Sequence, residues 1–128
     1  MTNRAKIEFF YKEDGLRNEV FLNELLHDDF ILDWDSSHGN VKMSKSDIID
    51  LAKELKQNYV DSFMEISHFI EDDNQIVVKY NHKVTTIENP KELILIAKIV
   101  AIWEFEDDKI KKGYQISKPN KKNTIKIT

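Results

Sequence analysis

The segment "LILIAKIVAIWEF", residues 93–105, decides how this chain folds. Side chains alternate across a β-strand, so the segment divides into two faces. One face carries Leu93, Leu95, Ala97, Ile99, Ala101, Trp103 and Phe105; the other carries Ile94, Ile96, Lys98, Val100 and Ile102. A strand with one solvated face shows polar residues at every second position. This strand is apolar on both faces, so both need a cover. Helices can supply one, and a second copy of the chain is the simplest supply for the other. The pattern predicts a homodimer through an outer sheet face bearing Ile94, Ile96, Val100 and Ile102.

The flanking segments are strands as well. "SFMEISHFI" (62–70) sets Met64, Ile66, His68 and Ile70 against Glu65, Ser67 and Phe69, and "QIVVKYNHKVTTI" (75–87) aligns Ile76, Val78, Tyr80, His82 and Val84. The turns "EDDN", "ENPKE" and "DD" separate them from their neighbours, and "KIKKGYQIS" (109–117) ends the series. A two-residue "DD" turn would pair Phe105 with Ile110, Trp103 with Lys112 and Ala101 with Tyr114. Gly113 marks a candidate bulge, which leaves Tyr114 and Gln115 as alternatives for the inner face.

Upstream the spacing is helical. Ile7, Phe10 and Tyr11 share one face, and Phe21, Leu22, Leu25 and Leu26 repeat the pattern within residues 16–29. Between residues 28 and 35 alternation takes over, with Phe30, Leu32 and Trp34 on one side and Asp33 and Asp35 on the other. A loop over 36–43 leads to a third helix, which opens on a capping box of Ser44 and Asp47 and carries a stripe of Ile48, Ala52, Leu55 and Tyr59. Three early helices followed by an antiparallel meander predict an α+β fold.

A chain of 128 residues is one domain by length and buries a real core. Without cysteine it has no disulfide, thiolate metal site or cysteine nucleophile. That composition, with no apolar stretch of signal-peptide or membrane-span length, predicts a cytoplasmic, soluble protein. The net charge of −4 is uneven, since the tail 118–128 holds four lysines and no acid, leaving −8 on residues 1–117. We expect a domain over 1–117 with a solvated basic tail over 118–128. An acidic body argues against nucleic acid.

In order along the chain, the helices, "LLHDDFILDWD", the capped helix, "EISHFIEDDNQIVVKY" and "IVAIWEFEDDKIKKGYQIS" resemble the nuclear transport factor 2-like superfamily, nearest its bacterial SnoaL-like branch. The resemblance runs from about Lys6 to Ser117. It implies a strongly curved antiparallel sheet wrapped as a cone against three helices (a cystatin-like α+β fold), an apolar pocket inside, and dimers through the outer face. The superfamily includes ketosteroid isomerases. Their oxyanion tyrosine corresponds to Phe10 here, their base to Trp34 and their carboxyl donor to Ala101. None of these side chains can ionise or donate the proton required, so that chemistry is not expected.

Three functions remain from the sequence. The first is a small-molecule-binding domain whose pocket is lined by Trp34, Tyr80, His82, Trp103 and Tyr114. The second is an acid–base enzyme of the cyclase, isomerase or dehydratase kind using His82, the one plausible catalytic residue, with a tyrosine. The third is an association module with a filled cone. The "DSSH" run (35–38) cannot form a hydrolase triad, whose members converge from separate segments. The histidines at 27, 38, 68 and 82 form no paired ligand motif and there is no phosphate-cradling glycine loop, so neither a metal nor a nucleotide cofactor is expected.

Overall fold

The computed structural model describes residues 1–120. Helix α1 (Asn3–Lys12) begins where the Thr2 hydroxyl accepts the Ala5 N–H, and it buries the expected stripe of Ile7, Phe10 and Tyr11. The second helix is shorter than its periodicity suggested. Gly15–Arg17 makes a 3₁₀ turn, and the Asn18 side chain then accepts the Phe21 N–H and caps a new helix, α2 (Glu19–Leu25). Strand β1 (Leu26–Ser36) consequently takes in Asp28 and Asp29, which the helical reading had claimed.

The expected loop over 36–43 is a hairpin. Strand β2 (Gly39–Ser44) returns antiparallel to β1 with Val41 opposite Trp34, and Gly39 takes the turn at φ 102°. That backbone region favours glycine because it has no Cβ to clash. β2 is an exposed edge strand, so it carries little apolar alternation to read. Helix α3 (Lys45–Asn58) has the full Ser44–Asp47 capping box and buries Ile48, Ala52 and Leu55.

Strands β3 (Tyr59–Asp72), β4 (Gln75–Thr86), β5 (Ile94–Glu106) and β6 (Lys109–Pro119) form the meander. The six strands lie in the order β2-β1-β6-β5-β4-β3, antiparallel throughout except that β1 and β6 run parallel. The sheet wraps around the helices, and its inner face shares one core with α1, α2 and α3. The β5–β6 turn holds both Asp107 and Asp108 at positive φ, as a two-residue hairpin of matching twist requires.

Three bulges correct the expected faces. Each inserts one residue, and beyond it every side chain changes side. In β3 the pairing skips Ser67, so Phe69 turns inward while His68 and Ile70 turn outward. In β5 it skips Ile96, which is 1% exposed and packs with Leu55, Tyr59 and Val84. Ile94 packs against the same cluster, and Leu93 is exposed instead. Neither Ile94 nor Ile96 therefore belongs to the outer face, where Val100 and Ile102 remain.

The third bulge falls at Lys111, two residues before Gly113, so Trp103 pairs with Gly113 and Ala101 with Gln115. Tyr114 consequently faces out, 41% exposed. Strand β6 runs on past Ser117: Pro119 still pairs with Ala97, and the Asn120 N–H donates to the Ile96 carbonyl at 3.0 Å. The rest of the basic tail, 121–128, lies outside the described residues.

Gly113 is required by its neighbour: a Cβ there would lie 2.6 Å from the Trp103 ring and 2.9 Å from Leu32. Gly113→Ala should lower unfolding stability by about 1–3 kcal/mol through overpacking. Urea denaturation of the two proteins measures the difference, and an unchanged midpoint would contradict the contact.

Candidate functional site

The inner face of the sheet does not close completely on the helices. A cavity of about 60 Å³ lies between them. That is room for a few waters and is less than the roughly 150 Å³ of an engineered cavity that admits benzene. A ring-sized guest must therefore displace side chains. Trp34, Leu51 and Gln115 line the cavity while still reaching solvent. The walls are mainly apolar, with Phe10 from α1, Leu22 from α2, Ile48 from α3 and Phe30 from β1.

The structure brings Trp34, Tyr80, His82 and Trp103 together around this space and leaves Tyr114 outside it. Gln115 takes the place that Tyr114 was expected to fill, because the bulge at Lys111 shifts the register by one. Most polar tips in the walls have protein partners. The Trp34 Nε1–H donates to Ser117 Oγ at 2.7 Å, and the Trp103 Nε1–H donates to the Tyr11 hydroxyl at 2.8 Å. Tyr11 and Tyr80 pack ring to ring, centroids 4.6 Å apart, and burial pushes both phenols above their ordinary pKa.

His82 is 3% exposed, and its Nε2 lies 2.7 Å from Ser62 Oγ. Burial, with a smaller contribution from the nearby Arg17 cation, pushes the imidazole down to about 4. It is therefore neutral at pH 7. Arg17 is held in place by Asp14 Oδ2, at 2.8 and 2.6 Å, and by the Tyr59 carbonyl at 2.8 Å. Sequence reading missed Ser62 and Arg17, and left Gln115 as an alternative to Tyr114. For Ser62 a signal existed, since it shares the period-two face of Met64 and Ile66. For Arg17 none did: Asp14 is three residues away, but the Tyr59 carbonyl that fixes the side chain beside His82 is 42 away.

The positions matching the isomerase site sit together without its chemistry. Phe10 and Ala101 are buried, and Trp34 is bonded to Ser117. Tyr11, next to Phe10, is buried with its hydroxyl accepting from Trp103. Asp33 and Asp35 face away from the cavity and are bridged by Asn40 Nδ2 at 2.6 and 2.8 Å. His27, Glu106 and Asp107 approach one another on the surface. However, Lys111 pairs with Glu106 at 2.6 Å, and His27 Nδ1 already accepts the Asp29 N–H, which puts the proton of a neutral ring on the nitrogen nearest Asp107.

The architecture is that of the nuclear transport factor 2-like fold. It is similar to wild-type IdmH from Streptomyces antibioticus, provisionally described as a polyketide cyclase, with a TM-score of 0.71 at 11% identity over 91% of this chain and 92% of that one. A protein from Shewanella denitrificans, provisionally described as a SnoaL-like polyketide cyclase, gives a TM-score of 0.69 at 12% identity, covering 90% and 89%. An NTF2-like protein of unknown function from Burkholderia pseudomallei gives 0.65 at 18%, covering 90% of each chain. No protein-family model matches the sequence, and a search among curated proteins finds no match. Among the described residues no helix is long and apolar enough to cross a membrane.

The buried neutral His82 couples stability to pH. Below pH 6.5 the unfolded chain takes up a proton that the folded chain refuses until about pH 4. Its contribution is therefore complete above pH 6.5 and is lost as pH falls to about 4, by about 3 kcal/mol at most. Unfolding measured across this window should show a steeper loss for the wild type than for His82→Gln, and equal slopes would contradict the burial.

Proposed function

We propose that the protein is a cytoplasmic SnoaL-like domain that binds a small, mainly apolar, ring-containing molecule in the cavity without turning it over. One observation carries this reading: a small cavity lined by aromatic residues persists between the sheet and the helices within the buried core. The likeness to proteins provisionally described as polyketide cyclases supports a site for an organic molecule. An association module with a filled cone would have no use for the opening.

The acid–base enzyme is the alternative that His82 favours. Such chemistry needs a base and an acid that both titrate near working pH. With its pKa down at about 4, His82 is a weak base at pH 7, and burial makes Tyr80 a reluctant acid. Binding is the better fit.

A thermal-shift screen against steroids, cyclic enones, aromatic acids and short fatty acids tests the reading. A ligand at 100 times its Kd should stabilise the protein by about 2.7 kcal/mol, several degrees in Tm. Uncharged ring compounds should raise Tm in the wild type and lose that shift in Trp34→Ala. No shift from any class would overturn the proposal.

The outer face of the sheet is proposed to pair two copies of the chain. Register places Ile70, Val77, Ile102 and Tyr114 in one row across four strands, and Lys79, Val100, Ile116 and Asp35 in the next. A two-fold axis running along the strands between β5 and β6 would lay Ile116 over Val100 and Tyr114 over Ile102. The same operation sets Asp35 over Lys79, with Asp33 over Val77 at the edge of the patch, so the pairing adds one charge-complementary contact on each side. Sedimentation should show a dimer, and the double variant Val100→Lys with Ile116→Lys should sediment as a folded monomer. A monomeric wild type would exclude the pairing.

A further inference from the structure

The apolar patch on the outer face of the sheet ends in a charged row on each side, and the two rows are unlike. At one end Glu104 on β5 stands opposite Lys112 on β6; at the other, Lys98 on β5 stands opposite Lys118 on β6. The rows of Ile102 with Tyr114 and Val100 with Ile116 lie between them. Lys98 and Lys118 are both exposed, and like charges set directly opposite one another destabilise a strand pair.

No acid answers these two lysines. Along their row, Asn81 on β4 stands beside Lys98, and Glu65 on β3 stands beside Asn81. Glu65 already accepts from Asn81 Nδ2 and Lys83 Nζ, each at 3.0 Å. Asp35, one row away beside Ile116, accepts from Asn40 Nδ2 at 2.8 Å. Neither Lys98 nor Lys118 has an ion-pair or hydrogen-bond partner among the described residues. An ammonium only donates, so the N–H groups of both are uncommitted.

Pairing of the outer faces sharpens the contrast. The two-fold axis between β5 and β6 lays each β5 residue over the β6 residue of the same row in the other copy. Glu104 then meets the partner's Lys112, and that end closes with balanced charge. At the opposite end the same operation brings together four ammonium groups, two from each copy. Sheets packed face to face stand about 10 Å apart, so these charges share a narrow space that opens to water at its end. Their repulsion grows as water is excluded. A counter-charge entering there lets Val100 close over Ile116.

We propose that the paired outer faces form an anion site on the two-fold axis, in which Lys98 and Lys118 of each copy hold one tetrahedral oxyanion of the phosphate type. The site rests on the outer-face pairing and adds a ligand that regulates it. A tetrahedral anion has two-fold symmetry of its own, and so it can turn two oxygens toward each copy. As a dianion it also balances more of the four charges than chloride or a single carboxylate does. The space between two sheets admits a small free anion and is too narrow for a membrane surface or a nucleic-acid duplex.

Sedimentation equilibrium of the whole chain tests the site, with the wild type beside the double variant Lys98→Gln with Lys118→Gln. Each is run in sodium chloride and again with millimolar phosphate replacing part of it, at one ionic strength of about 0.15 M so that screening is constant. Phosphate at about ten times the site's Kd should tighten the wild-type dimer about tenfold, because only the dimer holds the complete site. In chloride the double variant should dimerise more tightly than the wild type, since the repulsion is gone, and it should not respond to phosphate.

An equal response of both proteins, or none from the wild type, would overturn the anion site and leave the dimer standing. A wild type that is monomeric in both buffers would overturn the pairing and the site together. Sedimentation of the wild type with phosphatidate vesicles, without any effect of free phosphate on the dimer, would assign the lysines to a surface role and overturn the site.

Discussion

The seating of Trp103 on Gly113 is the contact on which the rest of the structure depends. The indole lies within 2.6 Å of where a Cβ on Gly113 would be, and so the observed pairing of Trp103 with Gly113 requires glycine at that position. The same ring packs edge-on against Phe10 from α1 and stacks near Phe30 from β1, and its N–H is held by Tyr11. One side chain thus ties the first helix, the first strand and the last two strands. Because β1 runs parallel to β6, the register of β6 also sets the height of Trp34 and its bond to Ser117.

This register determines what the cavity can do. It turns Gln115 inward and Tyr114 outward, so the wall gains an amide and the outer face gains an aromatic. The polar atoms of the large aromatic residues are then consumed by neighbours in the wall. What remains is an apolar space with one imidazole at depth and one amide at the mouth. Close packing accounts for the narrowness: the aromatic cluster of Phe10, Tyr11, Tyr80 and Trp103 occupies the volume that a wide pocket would need.

Much of this was legible in the chain and some was not. The inner faces of β1 and β4 read correctly, including Trp34, Tyr80 and His82, because no bulge interrupts either strand where it pairs with its neighbour in the meander or hairpin at those positions. The stripes of α1 and α3 read correctly because helical spacing and the Ser44 capping box are local. The errors fall past a bulge or at a capped restart. Ile94, His68 and Tyr114 each lie beyond an inserted residue, and Ile96 is one, and such an insertion leaves no mark in composition. Gly113 was a visible clue, but it marks the seat of Trp103 rather than the bulge itself.

The sequence by itself determined the order of elements, the α+β class and the excess of apolar surface that demands cover on both sides of β5. Those properties come from periodicity and composition, which are local and survive without coordinates. Only the tertiary structure decided the parallel pairing of β1 with β6, the places of the bulges, and the commitment of each polar tip. It also decided that Ser62 meets His82 across 20 residues and Arg17 meets Tyr59 across 42. The physical reason is that a bulge or a long-range hydrogen bond is chosen by how side chains from distant segments share volume, and no single segment carries that information.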